Sequence, residues 1–292
     1  MTRCLIVYVS VGGTTERIAD RIALGLESTG CKVDKYNLKK DLEPSIENYD
    51  LLGIGTPAHY FRPSIRITDF LKSLPNLSIP YFTFISYGSI IGDAGNRLRK
   101  RLTKKGGRDT GYFKCNGWEN FIGYLKRGVI TYPSHPDVED LAQAENFGKK
   151  IPSNLLDVDY EPEAFDPKPN FIYRFERFSF QKWIVQKFFY RFFKVNESKC
   201  IKCGICVDSC PTHNIDMKKS ELPEFGKQCI ACFYCELKCP EDAITSAVDW
   251  KIFSPFMNHN VRKLSDIPSV EIAQVELRRG EVIRLEQHEK ER

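Results

Sequence analysis

Eight cysteines between positions 200 and 239 constrain this 292-residue chain more than any other feature. Cys200-x2-Cys203-x2-Cys206-x3-Cys210-Pro211 recurs as Cys229-x2-Cys232-x2-Cys235-x3-Cys239-Pro240. Each cysteine lies 29 residues from its counterpart, and Ile201/Ile230 and Ile215/Ile244 repeat at the same offset. The segment is therefore an internal duplication. A cysteine cluster this dense points to metal before disulfide in a cytosolic chain.

The spacing narrows the metal. Three thiolates, each three residues apart on a tightly curled loop, reach three corners of one iron–sulfur cube. The fourth cysteine, followed by proline, has left that loop and ligates the other cube. This assigns Cys200, Cys203, Cys206 and Cys239 to one [4Fe–4S] cluster, and Cys229, Cys232, Cys235 and Cys210 to a second. Gly204 suits the curl of the first loop, while Phe233 and Tyr234 flank the second. Two structural zinc sites are the rival reading. Zinc uses two paired Cys-x2-Cys knuckles per tetrahedron, which leaves the third cysteine and the Cys-Pro exit without a role. Over residues 196–248 the motifs resemble the bacterial two-cluster ferredoxins.

Composition sets the frame around this segment. Hydrophobic residues make up 42% and charged residues 28%, enough to bury a core, and the length suits two ordinary domains. The longest charge-free stretch, Ser73 to Gly92, carries Pro75, Pro80, Asn76 and four serines, too polar and broken for a membrane span. No basic-then-apolar leader precedes the strand-like Cys4–Val9, so a cytoplasmic location is expected. The net charge of +5 is modest. Its concentration in one aromatic segment, rather than along a groove, argues against nucleic acid as a partner.

Residues 1–150 alternate strand and helix. Leu5–Val9 reads as a buried strand. A helix from Thr15 places Ile18, Ile22 and Leu26 on one face and stops at Gly30. Strands at Lys32–Leu38, Leu51–Thr56, Tyr81–Ser86 and Tyr112–Cys115 follow, with helices at Ile65–Leu74, Asp93–Lys105 and Asp137–Lys150. The expected fold is α/β, a doubly wound parallel sheet, with ligands beyond the carboxyl ends of the strands.

Three loops leave those ends. In Ser10-Val11-Gly12-Gly13-Thr14-Thr15, two glycines let successive N–H groups face inward, hydroxyls add donors, and a helix N-terminus completes an anion site. With no lysine, this is not a nucleoside-triphosphate loop. Gly55-Thr56-Pro57-Ala58-His59-Tyr60-Phe61 and Ser86-Tyr87-Gly88-Ser89 each bring an aromatic side chain to a strand end, where a flat ring can be sandwiched. Gly53–Ala58 also fits Gly-x-Gly-x-x-Ala, but its first glycine lies inside the strand and Pro57 interrupts the turn, so no nicotinamide site is inferred. Of the five histidines, only His59 falls on such a loop; no nucleophile–base constellation is legible, and Cys4, Cys31 and Cys115 read as buried thiols.

Taken together, the three loops resemble the flavodoxin family over roughly residues 1–150. The resemblance implies that Ser10–Thr15, Thr56–Tyr60 and Ser86–Gly88 hold FMN. The phosphate loop departs from the usual Ser/Thr-x-Thr-Gly-x-Thr: Gly12 replaces a threonine, and Thr14 stands where asparagine is common.

Residues 151–194 connect the two halves. Pro152–Asn170 holds four prolines and several acids, the composition of a linker or surface strap. Phe171–Lys194 holds eleven aromatics among 24 residues, with six Lys/Arg against Glu176. The expectation is an amphipathic connector helix that packs Trp183, Phe188 and Phe192 and leaves its basic side solvated. Peripheral contact with a membrane surface is the competing use of such a segment. The ferredoxin-like part is set at 195–249. In the extension 250–292, Val270–Leu277 and Glu281–Leu285 flank Arg279-Gly280 as a hairpin.

The order of parts resembles a family of flavodoxin–ferredoxin fusion proteins of anaerobic bacteria and archaea. It implies an electron-transfer iron–sulfur flavoprotein, an oxidoreductase with two [4Fe–4S] clusters, FMN and a redox partner protein such as a ferredoxin, reductase or acceptor enzyme. A cluster-fed flavin reductase of a small substrate, with His59 or Tyr87 donating a proton, is the second expectation. A docking subunit without flavin is the third.

Overall fold

The apolar run Cys4–Val9 is buried at every position and forms an inner strand of a parallel sheet. The structure is a computed structural model that describes residues 1–39, 44–167, 178, 180–218 and 221–285. In chain order the elements begin with β1 (Arg3–Tyr8), α1 (Thr14–Glu27), β2 (Lys32–Asn37), β3 (Leu51–His59), β4 (Arg62–Pro63) and α2 (Ile65–Ser73). They continue with β5 (Tyr81–Tyr87), α3 (Ala94–Lys104), β6 (Asp109–Asn116), α4 (Ile122–Leu125), β7 (Val129–Thr131) and α5 (Val138–Leu156). The chain divides into two units.

The first unit comprises Met1–Gly117 and Ser134–Ser179. Its sheet runs β2-β1-β3-β5-β6, all parallel, with β4 antiparallel on the end of β3. This is the expected doubly wound order, and the strand order reverses between β1 and β3. Ile18, Ile22 and Leu26 of α1 are fully buried, as their spacing predicts, against Cys4, Ile6, Phe82 and Phe84. Gly53 and Gly55 have a packing role rather than a nucleotide role. A Cβ at either would lie 2.3 or 2.1 Å from the ring of Phe82 or Phe84 on β5.

Several boundaries differ from the sequence reading, among them the start of β6, at Asp109 rather than Tyr112. β3 runs to His59 rather than Thr56, because β4 folds back on it. Helix α5 runs through Pro152 to Leu156. A proline there forfeits one helical hydrogen bond, but Ile151 is fully buried and Leu155 packs against the core, so the last turn is held by side chains. The following segment is a strap. Buried Arg99 bonds Asp109 Oδ2 at 2.7 Å and the Glu163 carbonyl at 2.6 Å, and Asp166 accepts from Tyr112 Oη at 2.6 Å and Lys114 Nζ at 2.8 Å.

The second unit comprises Trp118–Pro133 and Phe180–Arg292, so the segment between β6 and α5 belongs to it. Its further elements are α6 (Lys182–Phe188), β8 (Lys194–Val195), α7 (Ile205–Asp208), β9 (Ile215–Asp216), β10 (Glu224–Phe225) and α8 (Tyr234–Leu237). Then come β11 (Ile244–Thr245), α9 (Ser254–Ser265), β12 (Ile272–Arg278) and β13 (Glu281–Arg284). Much of Phe171–Ser179 lies outside the described residues, so the helical reading is carried only by α6. There Val185 is buried, Trp183 and Phe188 are exposed, and Phe192 beyond the helix packs on Trp250 at 5.0 Å. The C-terminal hairpin forms as expected, with Arg279 and Gly280 both left-handed at the turn. Its pairing with β7 was not legible. No helix among the described residues is long and apolar enough to cross a membrane.

Candidate flavin crevice and cysteine loops

In the first loop, Gly13 is the N-cap of α1, with φ +87° and no side chain to cap it. The first N–H groups of a helix have no intrahelical acceptor. The left-handed glycine and the N–H groups ahead of Glu16 therefore present backbone donors and a positive dipole end to an anion. Two of the loop's hydroxyls have partners within the protein. Ser10 and Thr15 are buried; Ser10 Oγ accepts the Glu16 N–H at 3.2 Å, and Thr15 Oγ1 lies 2.7 Å from Ser86 Oγ. They tie the first loop to its own helix and to the end of β5. Val11 is buried and Gly12 half-buried. Thr14 turns its methyl toward Gly117, where a Cβ would lie 2.4 Å from it.

The second loop is a hairpin. Ala58 pairs with Pro63 and His59 with Arg62, leaving Tyr60 and Phe61 at the turn with φ +50° and +63°. Buried Thr56 donates to the Pro57 carbonyl and accepts the Ser64 N–H, both at 3.0 Å. Aromatic residues in the left-handed region carry strain of about 1–2 kcal/mol each. The third loop holds them: the Asp93 N–H donates to the Phe61 carbonyl at 3.0 Å, and left-handed Gly92 lets Phe61 approach its backbone. His59 Nδ1 is buried without a partner, although the ring as a whole is half-buried. Burial pushes this imidazole down to about 4, so it is neutral at physiological pH.

Ser86, next to last in β5, is buried, and Tyr87 and Gly88 are half-buried. Their carbonyls accept from the Gly117 N–H at 2.8 Å and Asn116 Nδ2 at 3.0 Å. Half-buried Tyr60 and Tyr87 thus stand at the ends of adjacent strands. These residues fit a phosphorylated flat ring. Asn37, Gly92, Asp93, Asn116 and Gly117, which shape the loops, were missed in the sequence; only the glycines offered a signal.

The second unit repeats its backbone as it repeats its cysteines. Left-handed residues fall at Lys202 and Ala231, Gly204 and Phe233, and His213 and Asp242, all at the 29-residue offset. Short helices α7 and α8 and strands β9 and β11 repeat likewise. So do two amide–sulfur bonds, Asn214 N–H to Cys210 Sγ at 3.3 Å and Ala243 N–H to Cys239 Sγ at 3.2 Å.

Cys200, Cys203, Cys206 and Cys239 line one cavity. In the other set, burial, with neighbouring Cys210 contributing to both, pushes the Cys229 thiol up to about 11 and Cys232 to about 12. Cys210 also raises Cys235.

Beside Cys235 lies an ion cluster that the sequence did not announce. Lys126 Nζ bonds Glu236 Oε1 at 2.5 Å and Asp249 Oδ1 at 2.8 Å. Glu236 is buried with Oε2 unpartnered, and burial raises its carboxyl to about 7 despite Lys126. Burial opposes the charge on Lys126 too, yet Glu236 and Asp249 hold its pKa above the ordinary value. The one available signal was an asymmetry in the repeat, where Val207 corresponds to Glu236.

Comparison with known proteins agrees with this geometry. Residues 5–135 match the Flavodoxin domain family, and residues 191–244 match the 4Fe-4S dicluster domain family. The uncharacterized protein MJ0298 of Methanocaldococcus jannaschii is 31% identical over 155 residues, covering 52% of this chain and 99% of that protein. The NAD(P)H dehydrogenase (quinone) of Paraburkholderia phymatum is 29% identical over 133 residues, covering 39% of this chain and 63% of its own. A solved flavodoxin from the domain Archaea aligns with TM-score 0.44 and 16% identity, over 53% of this chain and all of that one. Flavodoxin 2 from Bacillus cereus aligns with TM-score 0.43 and 19% identity, over 52% of this chain and 99% of its own. The chain belongs to the flavodoxin–ferredoxin fusion family, electron-transfer proteins with a flavodoxin domain for FMN followed by a domain for two [4Fe–4S] clusters.

Proposed function

We propose that the chain exchanges electrons among two [4Fe–4S] clusters, FMN and a redox partner protein. The observation that carries this reading is the joining, in one chain, of a duplicated eight-cysteine unit and a switch-point crevice with a glycine-led helix N-terminus. When bound, the clusters supply one-electron chemistry and the flavin one- or two-electron chemistry. Cys200, Cys203, Cys206 and Cys239 hold one cluster, and Cys229, Cys232, Cys235 and Cys210 the other. The N–H groups of Asn214, Ala231 and Ala243 donate to Cys210, Cys229 and Cys239, which stabilises thiolate over thiol. Gly13, Thr14 and the α1 N-terminus hold the FMN phosphate. Thr56–Tyr60 and Ser86–Gly88 flank the ring, and Thr15 with Ser86 fixes the distance between two of the three loops. Covalent linkage of the two units replaces a diffusional encounter with a high effective concentration.

The test is anaerobic. Iron-replete protein incubated with FMN is expected to retain about one flavin per chain, and stoichiometric reduction of its clusters is expected to bleach the flavin absorbance without added partner. Absence of flavin, or flavin that stays oxidised beside reduced clusters, overturns the proposal.

A second reading, reduction of a small acceptor such as a quinone, draws on the two NAD(P)H dehydrogenase (quinone) relatives, of which the chain spans 63%. In that reading His59, neutral and with a buried unpartnered Nδ1, faces the acceptor. Turnover of a soluble quinone by the reduced protein alone separates it from a pure carrier, which reduces only redox proteins.

A further inference from the structure

We infer that a cleft in the second unit, distinct from the cysteine loops, binds a small planar aromatic anion. Half of its lining comes from chain beyond the two matched domains. The β12–β13 hairpin pairs with β7, placing Ala273 opposite Ile130, and the resulting three-stranded sheet faces the end of α8 across a cavity of about 320 Å³. That volume falls within the range of small-molecule sites.

The lining chemistry defines the occupant. Ile130, Leu237 and Val275 are buried and give the cleft an apolar floor, with Val282 beside them. Trp118 adds an indole wall, the side chain best suited to stacking on a flat ring. Among the described lining residues Lys238 and Arg284 outnumber Glu281, so their charge favours one anionic group on an otherwise apolar body. A nonplanar or cationic ligand would waste the indole or meet like charge.

The cleft is preformed. At the hairpin turn, Gly280 has φ +76°, and a Cβ there would lie 2.6 Å from the Lys238 carbonyl. Backbone therefore packs directly on backbone, which braces that wall of the cleft. This lowers the ordering cost of binding. Leu237 and Lys238 lie in sequence between Cys235 and Cys239, so an occupant rests on the segment that joins two cysteines of the duplicated loops.

The test is equilibrium dialysis of the anaerobic, iron-replete full chain, in saturating FMN, against 2-naphthalenesulfonate, a planar aromatic anion, and against its uncharged relative 2-naphthol. One sulfonate per chain is expected. Val282→Trp, which fills the cleft, should weaken both probes about tenfold or more. Arg284→Glu, at an exposed position, should weaken only the sulfonate, by about tenfold, with iron content unchanged. Uptake without a one-per-chain limit, or equal affinity in wild type and both variants, overturns the inference. So does equal weakening of both probes by Arg284→Glu. If Val282→Trp loses its iron, the contrast between the two probes on Arg284→Glu decides alone. Failure to bind either probe assigns the cleft to something other than a small aromatic ligand, a protein segment included, and also overturns it.

Discussion

Phe233 holds the left-handed backbone conformation that Gly204 holds 29 residues earlier in the duplication, with φ +54° against +79°. A phenylalanine pays about 1–2 kcal/mol for that conformation, where glycine pays little. Its ring, 3% exposed, packs on Phe121 at 6.0 Å and Phe193 at 5.5 Å, so the strain is held by aromatic packing within the second unit. Phe233→Ala should lose the ring and keep the strain, costing about 3–5 kcal/mol. Phe233→Gly should lose the ring but relieve the strain, and so be about 1 kcal/mol more stable than the alanine variant. Urea unfolding followed by cluster absorbance gives the order; alanine equal to or above glycine would show the conformation to be unstrained.

Lys126 is the cation between Glu236 and Asp249. Removing one partner of a buried ion pair costs about 3–5 kcal/mol, because the other charge is left without compensation. Lys126→Met should therefore shorten the anaerobic half-life of the clusters in urea severely. Glu236→Gln, which keeps the shape and removes the buried charge, should cost much less. A harmless Lys126→Met would mean that the ion cluster contributes nothing to this unit.

Gly92 permits the contact between the second and third flavin-side loops. A Cβ there would lie 2.3 Å from the Phe61 Cβ, at a φ of +63°. Gly92→Ala should displace the Tyr60–Phe61 turn, weaken FMN binding about tenfold or more, and leave iron content unchanged. Retained flavin affinity would show that this turn does not contact the ring.

Acid should unmask His59. Its pKa in the folded protein is lowered from 6.5 to about 4. Above pH 6.5 the imidazole is neutral in both folded and unfolded chains and has no effect. As pH falls from 6.5 toward 4 the unfolded chain takes up the proton and the folded one does not, so stability is lost across that window. The loss attributable to this residue is about 2 kcal/mol, less than the full shift because the ring is only half-buried. Stability measured at pH 7 and pH 4.5 should differ more in wild type than in His59→Gln. An identical difference would place the imidazole in water.

Some features were legible because their physics is local or periodic. A 3.6-residue spacing in α1 needs no knowledge of its partner strands to bury Ile18, Ile22 and Leu26. The Arg279-Gly280 turn was likewise readable between alternating runs. The extension of β3 was not, because it depends on β4 folding back, and Tyr60-Phe61 carries no turn signal. The intramolecular partners of Ser10 and Thr15 were not legible for a related reason. A hydroxyl in a loop donates to whatever lies nearest, and Ser86 approaches Thr15 only once β1 and β5 have taken their places in the sheet.

The sequence by itself determined the duplicated cysteine loops, the parallel α/β unit and the three loops at its strand ends, since each is written in spacing or in short runs of residue type. Only the tertiary structure decided that Trp118–Pro133 belongs to the cysteine-bearing unit, that β12 pairs with β7, and that Lys126 meets Glu236 across more than a hundred residues. Those outcomes rest on long-range pairing and on charges that must be compensated once water is excluded. Neither leaves a periodic trace along the chain.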